Sequence, residues 1–425
     1  MWPHEISPGL TMDLYELTMA QIYHNRAMTE KAYFEVFIRT LPKDWGFFVM
    51  AGLEEVYAYL EAFRFSSDDI DFLRTTGFFE NEFLDYLKDF RPRVSLRGLP
   101  EGTVCFPDEP LLEVGGPLMD AQILETGILN ILNFSIIAAT LAARVVTAAR
   151  GRPVIEFGLR RAHSPLSALR AARAAQLAGF AATSNLAACR LLHFKPTGTM
   201  AHSYIEVHDS EASAFDRFIC QYRDQTILLI DTYDPQEGIR SAAAAALKFY
   251  HEEGIRIKGI RLDSGDVVAL SRFARAWFRQ TGTDFLDIYA SSGLDEYKIA
   301  ALLDAGAEID GFGIGTRFAV SHHAPDIDIV YKIVQYHNKP LFKTSPDKQT
   351  RPGRKTLLRI KNRVYTEDLI VPFSGSKDDL LKPVDAPETA ECIKTRLRSE
   401  LQALPPSLKR IQNPGSYPVK YSRLP

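Results

Sequence analysis

The chain has 425 residues, 46% apolar and 24% charged, with a formal net charge of −3. That length exceeds one small core and predicts two domains. The near-neutral balance excludes a global basic field for recruiting nucleic acid. The start, "MWPHEISPGLTMDLYELT", lacks a basic stretch followed by an apolar run, so no signal peptide is expected. No uninterrupted apolar run approaches the length of a membrane span, and no membrane partner is expected. Cys105, Cys189, Cys220 and Cys392 stand far apart without a CxxC pair, which predicts reduced, mostly buried thiols of a cytoplasmic protein and no zinc.

In chain order, residues 1–115 mix helical stretches ("DDIDFLRTTGF", "NEFLDYLKDF") with short strands ("VSLRGLPEGTVCF", "PLLEVGGPL"). The middle then repeats one rhythm, an apolar strand, polar or glycine residues, and a helix. "PVIEF", "GFAAT", "TGTMAHS", "TILLIDTYD", "IKGIRLD", "FLDIYASSG" and "IDGFGIGT" are the strand-like runs, which predict a parallel α/β domain. Polar residues sit at the C-terminal tip of each run, where α/β sheets and barrels both bind ligands. Chemistry at consecutive tips favours a closed barrel over an open sheet. Beyond residue 330, "IVYKIVQYHNKPLFKT" and "KTLLRIKNRVYTE" alternate apolar and polar, as antiparallel strands do. The expected architecture is therefore a seven-stranded β/α barrel over 116–330, with 1–115 and 331–425 joining into one further α/β domain. The tail, "LQALPPSLKRIQNPGSYPVKYSRLP", is expected to start helical and end loosely ordered.

Four stretches carry candidate chemistry. In "DGFGIGTR" the alternating glycines either bring backbone N–H groups to a phosphate or simply pack a barrel strand. In "EFGLRR", Phe157 with Arg160 and Arg161 suits a flat anionic ligand, or is a core aromatic beside surface arginines. In "GTMAHSY" His202 stands among small residues, and "LLIDTYD" brings Asp231 and Asp234 to a neighbouring tip. A carboxylate on one ring nitrogen would fix the tautomer and sharpen the other. In "GIRLDSGDV" Arg261 either closes a salt bridge or grips a ligand carboxylate in a bidentate fork, with Asp263 and Asp266 facing the rest of that ligand.

Taken together, "DLYELTMAQIY", "EFGLRRAHSP", "GFAATSNLAA", "GTMAHSY", "LLIDTYD", "IRLDSGD" and "GFGIGTR", in this order from about residue 10 to about 320, resemble the nicotinate phosphoribosyltransferase family. The resemblance implies an irregular α/β barrel plus an α/β sandwich made from both chain ends. It implies that nicotinate and phosphoribosyl pyrophosphate (PRPP) give nicotinate mononucleotide and pyrophosphate, with ATP hydrolysed through a phosphohistidine. Magnesium is implied with ATP and PRPP as substrates, without assigned protein ligands. A homodimer is implied, its active site at the interface.

Residue by residue, the resemblance implies that Phe157 stacks on the pyridine ring and Arg261 binds its carboxylate. Tyr15 of a second subunit would cover the other face, and Ser184 and Thr199 would line the same pocket. Arg160, Ser264, Gly293 and the Gly313–Gly315–Thr316 loop would hold PRPP phosphates, and Asp263 would face the ribose. His202 would accept the ATP phosphoryl group, oriented by Asp231. Ser184 stands where the nicotinamide-using relatives carry an aspartate, and a hydroxyl there favours an acid over an amide. Quinolinate phosphoribosyltransferase shares the fold but needs further cations for a second carboxylate and no phosphohistidine. A catalytically silent phosphate-binding barrel is the rival from another class. This chain departs from the family pattern at Met12, at His163 and Ser164, and at Ala181 and Ala182.

Overall fold

The computed structural model describes residues 7–343 and 350–422, and the chain divides into two compact units. The chain ends, up to Thr140 and from Asp326, form one unit, and Leu141–Pro325 form the other. The first division falls between Thr140 and Leu141, inside the helix Glu125–Ala149. The helical run Leu118–Ala149 is long and apolar enough to cross a membrane by length and composition, contrary to expectation. Its scattered Thr, Asn and Ser interrupt the apolar letters without lowering the average much. Most of it is buried within the protein, as a core helix is.

The chain-end unit centres on an antiparallel six-stranded sheet, ordered Lys339–Pro340, Ile329–Tyr336, Lys31–Ile38, Leu112–Pro117, Ser95–Gly98 and Lys382–Pro383. "KAYFEVFI" takes a central place because its aromatic and β-branched residues suit a pleated buried surface, and Phe34, Val36 and Ile38 are buried. Lys355–Asn362 and Val364–Pro372 form the second expected hairpin, turning at Arg363. Val419–Tyr421 adds to it in parallel. The tail is therefore tied down as far as Ser422, contrary to expectation. Tyr417 stacks on Phe106 at 3.8 Å between centroids and donates to Asp368 at 2.8 Å. Only Cys105 of the four free cysteines is buried; Cys220 and Cys392 are exposed on polar helix faces.

The second unit carries a parallel six-stranded sheet, ordered Ala182–Thr183, Val154–Glu156, Gly311–Ile314, Asp287–Ala290, Gly259–Leu262 and Ile227–Leu229. The rhythm read from the sequence supplies all six. The seventh run, "TGTMAHS", is not a strand. Thr183 pairs through a single bridge with Pro196, and the chain then enters the short helix His202–Glu206. Two backbone bonds, Thr183 N to the Lys195 carbonyl and Thr197 N to the Thr183 carbonyl, both 3.0 Å, are what that edge makes. "TGTMAHS" offers one buried apolar residue, Met200, too little to fix a strand. Among the described residues, the sheet is thus open between its first and last strands, without the seven-stranded closure. The helices between strands begin on acidic caps: Asp234 accepts from Glu237 N, Asp266 from Ala269 N and Asp295 from Lys298 N. Ser164 has the same kind of duty, capping Pro165–Ala178 reciprocally with Ser167.

Candidate active site

A parallel sheet sends all its strands in one direction, so residues just beyond each strand gather at one edge. Phe157 follows Val154–Glu156, Ser184 follows Ala182–Thr183, Asp231 lies just past Ile227–Leu229, and Asp263 and Ser264 follow Gly259–Leu262. Gly293 lies just past Asp287–Ala290, and Gly315 and Thr316 follow Gly311–Ile314. Arg261 and Gly313 lie on their strands, paired with neighbours at Tyr289 and Ile155.

Phe157 and the glycines meet directly. A Cβ at Gly313 would stand 2.7 Å from the Phe157 ring, and one at Gly315 would stand 3.1 Å from the Phe157 carbonyl. The ring therefore lies on bare backbone, which is what the alternating glycines provide. Beneath it Glu156 is buried, its two oxygens taken by the Gly158 amide and the Thr183 hydroxyl. Burial pushes its carboxyl above the ordinary value, and those two hydrogen bonds oppose the shift. Neither Glu156 nor Thr183 was selected from sequence, although both close the strand ends that hold Phe157 and Ser184. Ser184 is half-buried and gives its backbone N–H to the Glu156 carbonyl at 3.0 Å.

Arg261 is half-buried, donates to the Met200 carbonyl at 3.1 Å, and has a buried Nε without a hydrogen-bond partner. Burial pushes its guanidinium below its ordinary value, Asp263 and Asp231 pull it back, and the charge of Arg160 pushes it down again. It stays a cation, because guanidinium does not deprotonate in proteins. Among the described residues Arg261 closes no ion pair, although the charges of Asp263 and Asp231 act on it. Arg160 itself is exposed.

Asp231 and His202 are arranged differently from the expected pair. His202 opens a helix and not a strand tip, and its Nδ1 lies 3.1 Å from the Thr232 hydroxyl. Asp231 is turned to the next strand: one oxygen accepts from Asp263 N at 3.1 Å and from Ser264 Oγ at 2.5 Å. Its other oxygen is buried without a partner. The carboxylate that faces His202 is Asp263, with Oδ2 at 3.9 Å from Nε2, and the other oxygen of Asp263 accepts from Ser291. Ser264 thus serves Asp231 through its hydroxyl. Asp266, paired with Asp263 in the sequence reading, is spent as a helix cap.

Of the remaining candidates, Thr199 shares an acceptor with Arg261, the Met200 carbonyl, to which it donates at 3.3 Å. Gly293 turns the chain at φ +60, a conformation suited to glycine, and Thr316 opens the short helix Thr316–Ala319. Tyr15 belongs to the chain-end unit, on the helix Leu14–Asn25, and is 44% exposed. Burial, Glu125 and Glu16 push its hydroxyl up. Glu211, unnoticed in the sequence, begins the helix Glu211–Tyr222 with one buried, unpartnered oxygen. Its carboxyl is pushed to about 7 by burial and by the charges of Asp231 and Asp234. Among the described residues no group of three or more His, Cys, Asp or Glu is arranged to hold a metal ion.

Comparison with known proteins gives this geometry a lineage. Residues 10–133 match the nicotinate phosphoribosyltransferase N-terminal domain and residues 153–368 match the nicotinate phosphoribosyltransferase family. The chain is 42% identical over 427 residues to a nicotinate phosphoribosyltransferase of Mycobacterium tuberculosis, covering 97% of this chain and 91% of that protein. It is 38% identical over 366 residues to the one from Bacillus subtilis, covering 84% and 74%. The crystal structure of human nicotinic acid phosphoribosyltransferase superposes with a TM-score of 0.80 at 26% identity, covering 96% and 97% of the two chains.

Proposed function

The chain belongs to the nicotinate phosphoribosyltransferase family, and on that footing we propose that it joins nicotinate to PRPP, releasing pyrophosphate, in NAD salvage. The observation that carries the substrate assignment is Arg261. A half-buried guanidinium with an unmet Nε suits a planar carboxylate. Phe157, lying on Gly313, offers the pyridine a face, and Ser184 and Thr199 border the same pocket. The Gly313–Gly315–Thr316 turn, Ser264, Gly293 and Arg160 are the groups for PRPP phosphates.

In the reaction the pyridine nitrogen forms a bond to the anomeric carbon as the bond to pyrophosphate breaks. Positive charge develops at that carbon, and Asp263 is the carboxylate placed to stabilise it. His202 takes the ATP phosphoryl group on the ring nitrogen that Thr232 leaves open, and ATP hydrolysis through that phosphohistidine couples to synthesis. Magnesium bound with the phosphates would supply neutralisation of their charge. A cation that keeps phosphate and water ligands needs only one or two protein carboxylates, and the orphan oxygen of Asp231 and Asp263 fit that need. Tyr15 is assigned to a partner subunit's site in a homodimer, in a cytoplasmic setting.

The test is purified protein with PRPP, magnesium and nicotinate, nicotinamide or quinolinate in turn, with and without ATP, reading mononucleotide. Nicotinate mononucleotide formed faster with ATP supports the assignment. Turnover confined to another pyridine, or none, overturns it. His202→Ala is expected to lose ATP hydrolysis and acid-labile phosphoprotein while keeping some PRPP-dependent synthesis. A mutant that is still phosphorylated removes His202 from the role.

A further inference from the structure

We propose that Ser291 is the positioning residue that decides which oxygen of Asp263 faces the reacting ribose; this rests on the assignment of Asp263 above.

Asp263 is held at two points. Its backbone N–H is fixed by Asp231 at 3.1 Å, which sets where the residue leaves the strand Gly259–Leu262. Its Oδ1 accepts from the hydroxyl of Ser291, which sets the rotation of the carboxylate. With Oδ1 taken, Oδ2 is the oxygen presented to the site, 3.9 Å from His202 Nε2. The Asp263 side chain is 31% exposed. At that exposure, losing the Ser291 bond lets water compete for Oδ1 and frees the rotation of the carboxylate.

Ser291 is itself fixed. It is 6% exposed, and its backbone N–H donates to the Leu262 carbonyl at 2.9 Å, tying it to the residue before Asp263. A Cβ at Gly313 would lie 3.2 Å from the Ser291 Cβ, so the neighbouring strand leaves little room for a larger side chain. Serine is the small residue that still supplies a strong donor. One hydroxyl thus links the end of the strand Asp287–Ala290 to the carboxylate beside His202. Ser291 is buried and its hydroxyl is given to Asp263, so it acts through Asp263. A carboxylate misaimed by a fraction of an ångström loses transition-state stabilisation while ground-state binding is kept.

The experiment compares wild type, Ser291→Ala and Ser291→Cys in nicotinate- and PRPP-dependent turnover and in thermal melting. Cysteine is the nearest side chain in shape, slightly larger, and a weak donor, and melting reports whether its extra size is tolerated. Ser291→Ala is expected to lower kcat by about tenfold or more, the scale of a lost hydrogen bond to a charged group. KM for nicotinate and for PRPP should change by less than about twofold, with melting close to wild type. Ser291→Cys should track alanine. Turnover retained in the alanine variant, turnover restored in the cysteine variant, or a loss spread over KM and melting would overturn the proposal. Wild-type protein inert toward nicotinate and PRPP would instead overturn the assignment beneath it.

Discussion

At Arg261 one guanidinium has a single named acceptor, the Met200 carbonyl, and keeps a buried Nε unmet. A buried donor without a partner costs stability, so the residue is better explained by a ligand than by the scaffold. Arg261→Lys keeps the charge and loses the planar fork. It is expected to raise KM for nicotinate by about tenfold or more, in line with the 1.5–3 kcal/mol of a charged hydrogen bond, and to leave KM for PRPP nearly unchanged. Nicotinate saturation and melting temperature, measured on the same preparation, decide the matter. Lower melting with normal nicotinate kinetics would make Arg261 scaffolding. At this scale the sequence showed Arg261, His202, Asp231 and Asp263, because charge at the end of an apolar run is conspicuous. It did not show Thr232 as the partner of His202, or Ser291 as the partner of Asp263. Threonine and serine are ordinary at strand ends, and only the strand order brings these two beside their partners. The Met200 carbonyl is silent in any sequence, since every residue has one.

Among the elements, strands buried on both faces read as apolar runs ended by polar residues, and the six parallel strands were legible for that reason. "TGTMAHS" was read as a seventh because it fell in step with the rhythm, yet it has little apolar surface to bury and it turns into a helix at His202. Consequently His202 meets Thr232, and Asp231 is left to brace the turn after Gly259–Leu262. The glycine alternation of Gly311–Ile314 admitted packing or ligand approach, and the structure gives it a definite duty at Gly313, the floor under Phe157. Gly313→Ala places a methyl 2.7 Å from the ring, so the ring must tilt or lift. Overpacking of this kind costs about 1–3 kcal/mol. Nicotinate KM is expected to rise by about tenfold while circular dichroism reports the same secondary structure. A variant with wild-type nicotinate KM would show that Phe157 has slack and is not the platform.

The whole molecule depends on joining the two chain ends into one unit, and buried ion pairs do much of the joining. Lys355 meets Glu35 at 2.8 Å, Arg354 and Arg97 share Glu113, and Arg359 lies 3.8 Å from Glu109. The alternation of the flanking strands forecast this sheet, but which carboxylates it would bury was not legible, since acidic residues at strand and helix positions usually face water. Glu16 is the clearest case. On the helix Leu14–Asn25 it is fully buried, one oxygen taking the Thr126 N–H at 3.0 Å and hydroxyl at 2.5 Å, the other without a partner. Burial pushes its carboxyl from 4.5 to about 8, against the pull of both Thr126 bonds and with help from Glu125 and Asp13. The folded chain therefore keeps a proton that the unfolded chain releases near 4.5. Stability from this group is complete below about pH 4.5 and falls as pH rises toward about 8, where the folded state also ionises. Glu16→Gln keeps an acceptor for Thr126 and cannot ionise. In denaturant titrations its stability relative to wild type should climb between about pH 4.5 and 8 and then level off. A difference that stays flat across that window would mean that Glu16 is ionised in the folded protein throughout, and that the helix carrying Tyr15 holds a buried charge.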